Sequence, residues 1–279
     1  MHDAPARGVR PGGRVRYTGD RMATTPLRRA DLLADQAAHP PFGHRRFTGD
    51  DPPVRVGVTG AGAELLLLVW SATDLAAEIQ AGTRVLGRLG VRPGMRVANT
   101  LPGALATPGA LLLGDVNEAI GALDVPLGTA DTEAAARAAW ELVDRVQCEV
   151  LVLAAETAAT FLAAASDAPR PWLQGIIWLS RPGGAERPVV PEGFPGWQRT
   201  WLAVPEVASF AASSCARGVL HADAGVGAEV AGGELVLAPH GAAAASGPYA
   251  TGIAARAVRC PCGGEGTAFE ALVETSPIR

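Results

Sequence analysis

Four residues constrain the fold of this chain more than any others: Cys215, His221, Cys260 and Cys262. They read C-x5-H followed about forty residues later by C-P-C. Thiolates and a neutral imidazole are the preferred ligands of zinc, and three Cys with one His close a tetrahedral shell with no position left for water. A shared ion would force two distant segments into contact, so the spacing predicts a structural zinc site. The competing reading is a set of ordinary buried thiols with an incidental histidine. Against it, the C-P-C lies in a Gly/Pro-bounded knuckle, Arg259 to Gly264, and not inside an apolar strand. Cys148, on the pattern E-V-L-V-L, reads instead as a buried hydrophobe.

At 279 residues the chain is long enough for one large domain or two modest ones. Its net charge of -4 gives no electrostatic footprint for nucleic acid. The longest apolar run, Leu65 to Trp70, has the length of a strand and falls far short of a membrane span. Residues 1-29, rich in Arg, Gly and Pro, read as a flexible leader without a signal-type apolar core, which points to a cytoplasmic protein; Met22 is an alternative start. Four cysteines with three clustered argue against a disulfide scaffold. All 24 basic residues are arginine. The absence of lysine excludes a P-loop NTPase lysine, a pyridoxal Schiff base and any lysine nucleophile.

Along the chain, Val54 to Val58 and Leu65 to Trp70 are strand-like runs around the glycine loop T-G-A-G-A-E. Asp74 is expected to cap a helix through Leu89, stopped by Gly90 and Pro93. Strands at 95-100, 123-127, 150-153 and 176-179 then alternate with helices at 109-120, 132-146 and 155-165. That alternation indicates parallel βαβ units. After Pro182 the breakers P-G-G, P-V-V-P and P-G-W leave only short strands, at 226-230, 234-237 and 253-258, with Cys215 and His221 expected after a short helix. The fold class is therefore α/β: a layered βαβ domain over 30-182 followed by a zinc-tied, β-rich subdomain over 183-279.

The order of these features resembles phenylacetate-CoA ligases and the related coenzyme F390 synthetase-like proteins, within the adenylate-forming ligase superfamily. The likeness is collinear from Pro26 to Glu270. It rests on D-L-L-A-D-Q-A-A-H-P-P-F-G (31-43), G-V-R-P-G-M-R-V (90-97), A-I-G-A-L-D-V-P (119-126), C-A-R-G-V-L-H (215-221), G-E-L-V-L (233-237) and R-C-P-C-G-G (259-264). Members of this group carry structural zinc on residues such as Cys215, His221, Cys260 and Cys262, which the resemblance carries over to this chain. The family's nucleotide machinery is altered. Where its members have a hydroxyl-rich loop with a lysine for the ATP phosphates, this chain has Thr59, Gly60, Gly62 and the acidic Glu64, which repels a triphosphate. Seen alone, T-G-A-G also reads as a hairpin turn. The family's ribose-binding aspartate is replaced by Ile253 after Tyr249, Thr251 and Gly252. Of its Y-G-l-T/S-E, only Glu206 persists in L-A-V-P-E. The sequence also ends at Arg279 without the family's mobile C-terminal domain and its catalytic lysine.

These substitutions imply a degenerate ligase homologue in which zinc is retained and ATP with magnesium is not expected. Its expected partners are a small acyl or aryl molecule, its thioester, or a carrier protein, with a second copy covering exposed surface as a further option. Two alternatives stand beside it: an enzyme repurposed to hydrolyse, transfer or cyclise a thioester, and a ligase completed by a separate C-terminal domain. The polar residues available for chemistry are His240, Glu206 and Tyr249, with Thr59 and Asp115 behind them. His240 is the candidate general base and otherwise a surface-loop histidine; Glu206 is a candidate base or a helix-start carboxylate. There is no G-x-S-x-G nucleophile elbow.

Overall fold

A computed structural model of the chain describes residues 25-45, 47-103, 108-166, 168-190, 194, 196-239 and 243-272. The chain enters through helix α1 (Arg29–Ala38). Strands β1 (Pro53–Thr59) and β2 (Leu66–Ser71) form an antiparallel hairpin in which Thr59 faces Leu66, with a single 3-10 turn, Gly62–Glu64, between them. Helix α2 (Ala72–Leu89) follows. Its cap is Ser71, not Asp74: the Ser71 hydroxyl accepts the Asp74 N–H at 3.2 Å, and the Asp74 carboxylate accepts the Ser71 N–H at 2.8 Å. Asp74 thus supplies the reciprocal half of a capping box.

The expected alternation then runs through β3 (Arg96–Asn99), α3 (Ala110–Ile120), β4 (Leu123–Pro126), α4 (Glu133–Val146), β5 (Val150–Ala154), α5 (Ala155–Ala163) and β6 (Gly175–Ser180). The continuous apolar run of β5 has a simple cause. Val150, Val152 and Ala154 face one hydrophobic cluster with Leu86, Leu113 and Val116 of α2 and α3, while Leu151 and Leu153 face another with Trp140 and Phe161 of α4 and α5. Successive side chains point to opposite faces, and both faces are covered, so no polar residue is tolerated. Cys148 lies in the α4/α5 cluster, fully buried, and burial pushes its thiol pKa up to about 11. It behaves as the sequence suggests.

Beyond Pro182 come β7 (Trp197–Val204), β8 (Ala208–Ser214), β9 (Leu220–Ala222), β10 (Val226–Ala231), β11 (Glu234–Pro239), β12 (Tyr249–Ala257) and β13 (Ala268–Ala271). Cys215 follows strand β8, so the short helix expected before it is replaced by a strand. Strand β7 pairs parallel to β6, and from β7 onward every pairing is antiparallel. The result is one eleven-stranded sheet in the order β10-β11-β12-β13-β9-β8-β7-β6-β5-β3-β4. The compositional change after Pro182 therefore coincides with a change of strand direction within a shared sheet. Trp201 and Phe210 stack at 4.5 Å across β7 and β8 against α2, and Trp201 donates its indole N–H to the Ser209 carbonyl at 2.8 Å. Such a pair contributes about 0.5–1.5 kcal/mol beyond its burial. No helix among the described residues is long and apolar enough to cross a membrane.

Candidate functional site

The loop between β1 and β2 is where the sequence places its altered glycine loop, and it is filled by an arginine. Residues 27-29 form a strap along the start of β12: Leu27 donates its N–H to Pro248 O at 2.8 Å and accepts the Ala250 N–H at 2.9 Å. Arg28 pairs with Glu234 through two contacts at 3.2 and 3.1 Å. Arg29, the first residue of α1, then enters the loop. Its Nη2 donates to the Thr59 carbonyl at 2.8 Å and the Glu64 carbonyl at 2.5 Å, its Nε lies 3.8 Å from the Glu64 carboxylate, and its Nη1 pairs with Glu206. Gly60, at φ +82°, has to be glycine here, because a Cβ would collide with Arg29 Nη2 and the Glu64 carbonyl.

Glu206 sits in the turn between β7 and β8, in no helix, with its side chain only 5% exposed; the Arg29 side chain is 25% exposed. Tyr249 is buried beside this pair. Burial and then the Glu206 carboxylate push its phenol well above the usual range, against the opposing pull of Arg29. Thr251 is committed elsewhere: its hydroxyl donates to the Leu235 carbonyl at 2.8 Å. The structure thus brings Thr59, Gly60, Glu206 and Tyr249 to one place, around a cation. A phosphate cradle presents N–H groups and positive charge to an anion. This loop presents carbonyls and carboxylates to a guanidinium, the opposite polarity.

The remaining candidates lie apart. Asp115 on α3 is paired with Arg55 of β1, and Gly62, at φ +57°, opens the 3-10 turn. His240 lies outside the described residues. Next to the strap is a cavity of about 500 Å³, with Leu27, Leu32, Phe42, Phe47, Leu67 and Val69 on its apolar walls. Phe42 and Phe47 meet edge to face at 5.9 Å.

The cysteines converge as the spacing predicts. Strand β9 sets His221 between Ser213 of β8 and Ala268 of β13, Cys215 begins the turn from β8 to β9, and Cys260 and Cys262 hang from the connection between β12 and β13. All four ligand atoms lie within 4.8 Å of one another, with Cys215 Sγ 3.7 Å from Cys260 Sγ and Cys262 Sγ 3.2 Å from His221 Nε2. Four ligands at zinc–sulfur bond length stand roughly 3.8 Å apart along a tetrahedron's edges, so the donor set fits such an ion. Backbone N–H groups of Arg217 and Gly264 point at the sulfurs of Cys215 and Cys262, at 3.4 and 3.3 Å. Burial opposes ionisation of Cys215, yet the Arg217 N–H and the neighbouring Cys260 thiol bring its pKa below the ordinary thiol value. The cluster could hold a metal ion.

Three groups escaped the sequence reading. Arg29 fell within the presumed leader, although an acidic loop in a lysine-free chain calls for an arginine partner. Asp223, fully buried two residues after His221, receives Arg84 at 3.1 and 2.6 Å and Arg88 at 3.2 Å from α2, locking the cysteine-bearing strands to the helical layer. Glu78 on α2 keeps part of its surface in solvent, but its carboxylate is buried under β8. Burial pushes its pKa up to about 7, against the N–H of Ser209 at 3.2 Å.

No family model matches the sequence, and no curated protein does. Solved structures match its fold. An open conformation of 2-hydroxyisobutyryl-CoA ligase, in complex with 2-HIB-AMP and CoA, superposes with a TM-score of 0.75 at 18% identity over 90% of this chain and 63% of the ligase. The inhibitor-bound N-terminal domain of FACL13 from Mycobacterium tuberculosis gives 0.55 at 13% identity, over 82% of this chain and 63% of that one. O-succinylbenzoate coenzyme A synthetase (MenE) from Bacillus subtilis, in complex with AMP, gives 0.53 at 13% identity, over 78% and 49%. The chain thus has the fold of part of an adenylate-forming CoA ligase and spans about 63% of the length of the 2-hydroxyisobutyryl-CoA enzyme.

Proposed function

We propose that this chain keeps the ligase fold without ATP-dependent adenylation, and that it binds an acyl or aryl group, as the free molecule or as a thioester on coenzyme A or a carrier protein. The observation that carries this reading is the Arg29 contact. The loop that would meet ATP phosphates spends its carbonyls, Glu64 and Glu206 on an internal guanidinium. The chain has no lysine, and among the described residues the cation donating to the loop carbonyls of Thr59 and Glu64 is Arg29. The ligand's place is the 500 Å³ cavity, whose size is that of a small-molecule site and whose Phe42 and Phe47 suit an apolar or aromatic group.

Within the superfamily, the shared order of C-A-R-G-V-L-H, G-E-L-V-L and R-C-P-C-G-G favours kinship with the phenylacetate-CoA ligase-like group. On this reading Cys215, His221, Cys260 and Cys262 hold a structural zinc that knits the β-rich subdomain over 183-279. That role requires reduced thiols and so fits the cytoplasm. The test is calorimetry with ATP-Mg and with AMP, beside a panel of aryl-CoA and carrier-bound thioesters. The expected result is no nucleotide heat and saturable heat with at least one thioester. Micromolar binding of ATP-Mg or AMP would overturn the reading.

A further inference from the structure

A second group of metal-ligating side chains gathers at the far end of α1, away from the cysteines. Asp35 lies in the last turn of α1, His39 caps that helix, and the chain turns back so that His44 comes over the same carboxylate. The turn is built by backbone bonds, His39 N–H to Asp35 O at 2.9 Å and Gly43 N–H to His39 O at 2.8 Å. Gly43, at φ +70°, makes the close approach possible, since a Cβ there would strike Asp35 Oδ2.

The two carboxylate oxygens have separate tasks. Oδ2 accepts the His44 N–H at 2.7 Å, which fixes the orientation of the group. Oδ1 is thereby turned toward the imidazoles, with His39 Nδ1 at 3.0 Å and His44 Nδ1 in contact. The ring centroids are 3.8 Å apart, and the three ligand atoms lie within 4.8 Å of one another. Two imidazole nitrogens and one carboxylate oxygen are a donor set for a late first-row divalent ion. A backbone donor that orients the ligating carboxylate is the kind of outer support that metal sites use.

We propose that Asp35, His39 and His44 bind one divalent transition-metal ion, such as zinc, separate from the cysteine cluster. Three protein ligands leave coordination positions open, and Asp35 and His44 belong to the wall of the 500 Å³ cavity. An oxygen donor of a molecule held there is the class of ligand that would complete the sphere. The metal site itself does not depend on the proposed acyl ligand and is tested without one.

The experiment is cobalt(II) titration of the full, reduced, chelator-treated chain, with bound metal counted by equilibrium dialysis and absorption recorded throughout. Thiolate-bound cobalt gives intense sulfur-to-metal charge transfer in the near ultraviolet; cobalt on Asp35, His39 and His44 gives none. The expected result is one equivalent that adds no charge-transfer band and is weakened at least about tenfold in both His44→Ala and Asp35→Asn. The charge-transfer band of the other equivalent should persist in both variants, which also reports that they remain folded. The equivalent that depends on His44 is counted whether or not the thiolates fill. Identical stoichiometry and affinity in the parent and both variants would overturn the proposal, as would a parent that binds cobalt only with charge transfer.

Discussion

Removing the Arg29 side chain tests the inverted polarity of the glycine loop. In Arg29→Ala the Glu206 carboxylate, with only 5% of its side chain exposed, loses its counterion, and the carbonyls of Thr59 and Glu64 lose a donor. Breaking a buried pair by deleting one partner costs about 3–5 kcal/mol. Arg29 keeps a quarter of its side chain in solvent, so the lower end, about 3 kcal/mol, is the working figure. In a chain of this size that lowers the melting temperature by roughly 6 °C. The double variant Arg29→Ala/Glu206→Gln removes the orphaned charge as well and should recover about half of the loss, a coupling of about 1–3 kcal/mol in the double-mutant cycle. Thermal melts and urea unfolding of the four proteins provide the cycle. ATP-Mg should still fail to bind Arg29→Ala, because the emptied loop presents Glu64 and Glu206 to the phosphates. An unchanged melting temperature in Arg29→Ala together with zero coupling would show that the guanidinium is not held in the loop, and the argument from polarity would fall with it.

Two further outcomes are expected. Cys260→Ser should lose the thiolate-bound metal, read as about one equivalent by elemental analysis, and should melt below the parent, because ligand binding and folding are coupled at such sites; equal metal content would refute the assignment. Glu78 should make stability depend on pH: its folded pKa of about 7 stands above the ordinary 4.5, so between these values the folded state holds the proton more tightly than the unfolded chain. Stability is then greatest below pH 4.5 as far as this group is concerned and falls as the pH rises toward 7. The loss is of the order of 3 kcal/mol, so Glu78→Gln should melt roughly 6 °C above the parent at pH 8, with the gap narrowing as the pH falls and closing below pH 4.5. A gap that does not change with pH would refute the cause given.

The parallel half of the sheet was legible because burial on both faces writes itself as V-L-V-L-A or G-I-I-W-L; the start of α2 was set at Asp74 instead of Ser71 because the two residues are the two halves of one capping box. The antiparallel half was legible only in pieces. Strand β8 was missed because A-S-F-A-A-S-S has neither a period of two nor β-branched residues. It is held by the Trp201–Phe210 stack and by serine hydroxyls such as Ser214, which accepts the Thr200 N–H at 2.7 Å. The cluster of Cys215, His221, Cys260 and Cys262 could be found because cysteine and histidine are few in this chain and their spacing is informative. Arg29 could not: it is one of 24 arginines, and its partners lie 30 to 177 residues away, where only the folded chain shows which guanidinium meets which carboxylate.

On the proposed reading, the loss of phosphate contacts limits how tightly a ligand can bind, and this favours a tethered one. In ligases that adenylate, part of the binding energy comes from the nucleotide; here the ligand has to rely on the cavity, whose apolar wall is shared with polar residues such as Asp31, Arg45 and Asp74. An aryl group burying roughly 200 Å² gains about 5 kcal/mol at 25 cal/mol/Å², before the cost of association is subtracted. That is an affinity no better than about millimolar for a free aryl acid. A coenzyme A or carrier-protein thioester adds contacts outside the cavity, and a docked carrier makes entry of the aryl group effectively intramolecular, at a local concentration in the millimolar range. Leu27 and Phe42 on the cavity wall supply the apolar part of this affinity, and a phosphopantetheine arm or a carrier surface has to supply the rest. A fold that has turned its phosphate loop inward onto Arg29 therefore fits a receptor for tethered acyl groups better than one for free acids.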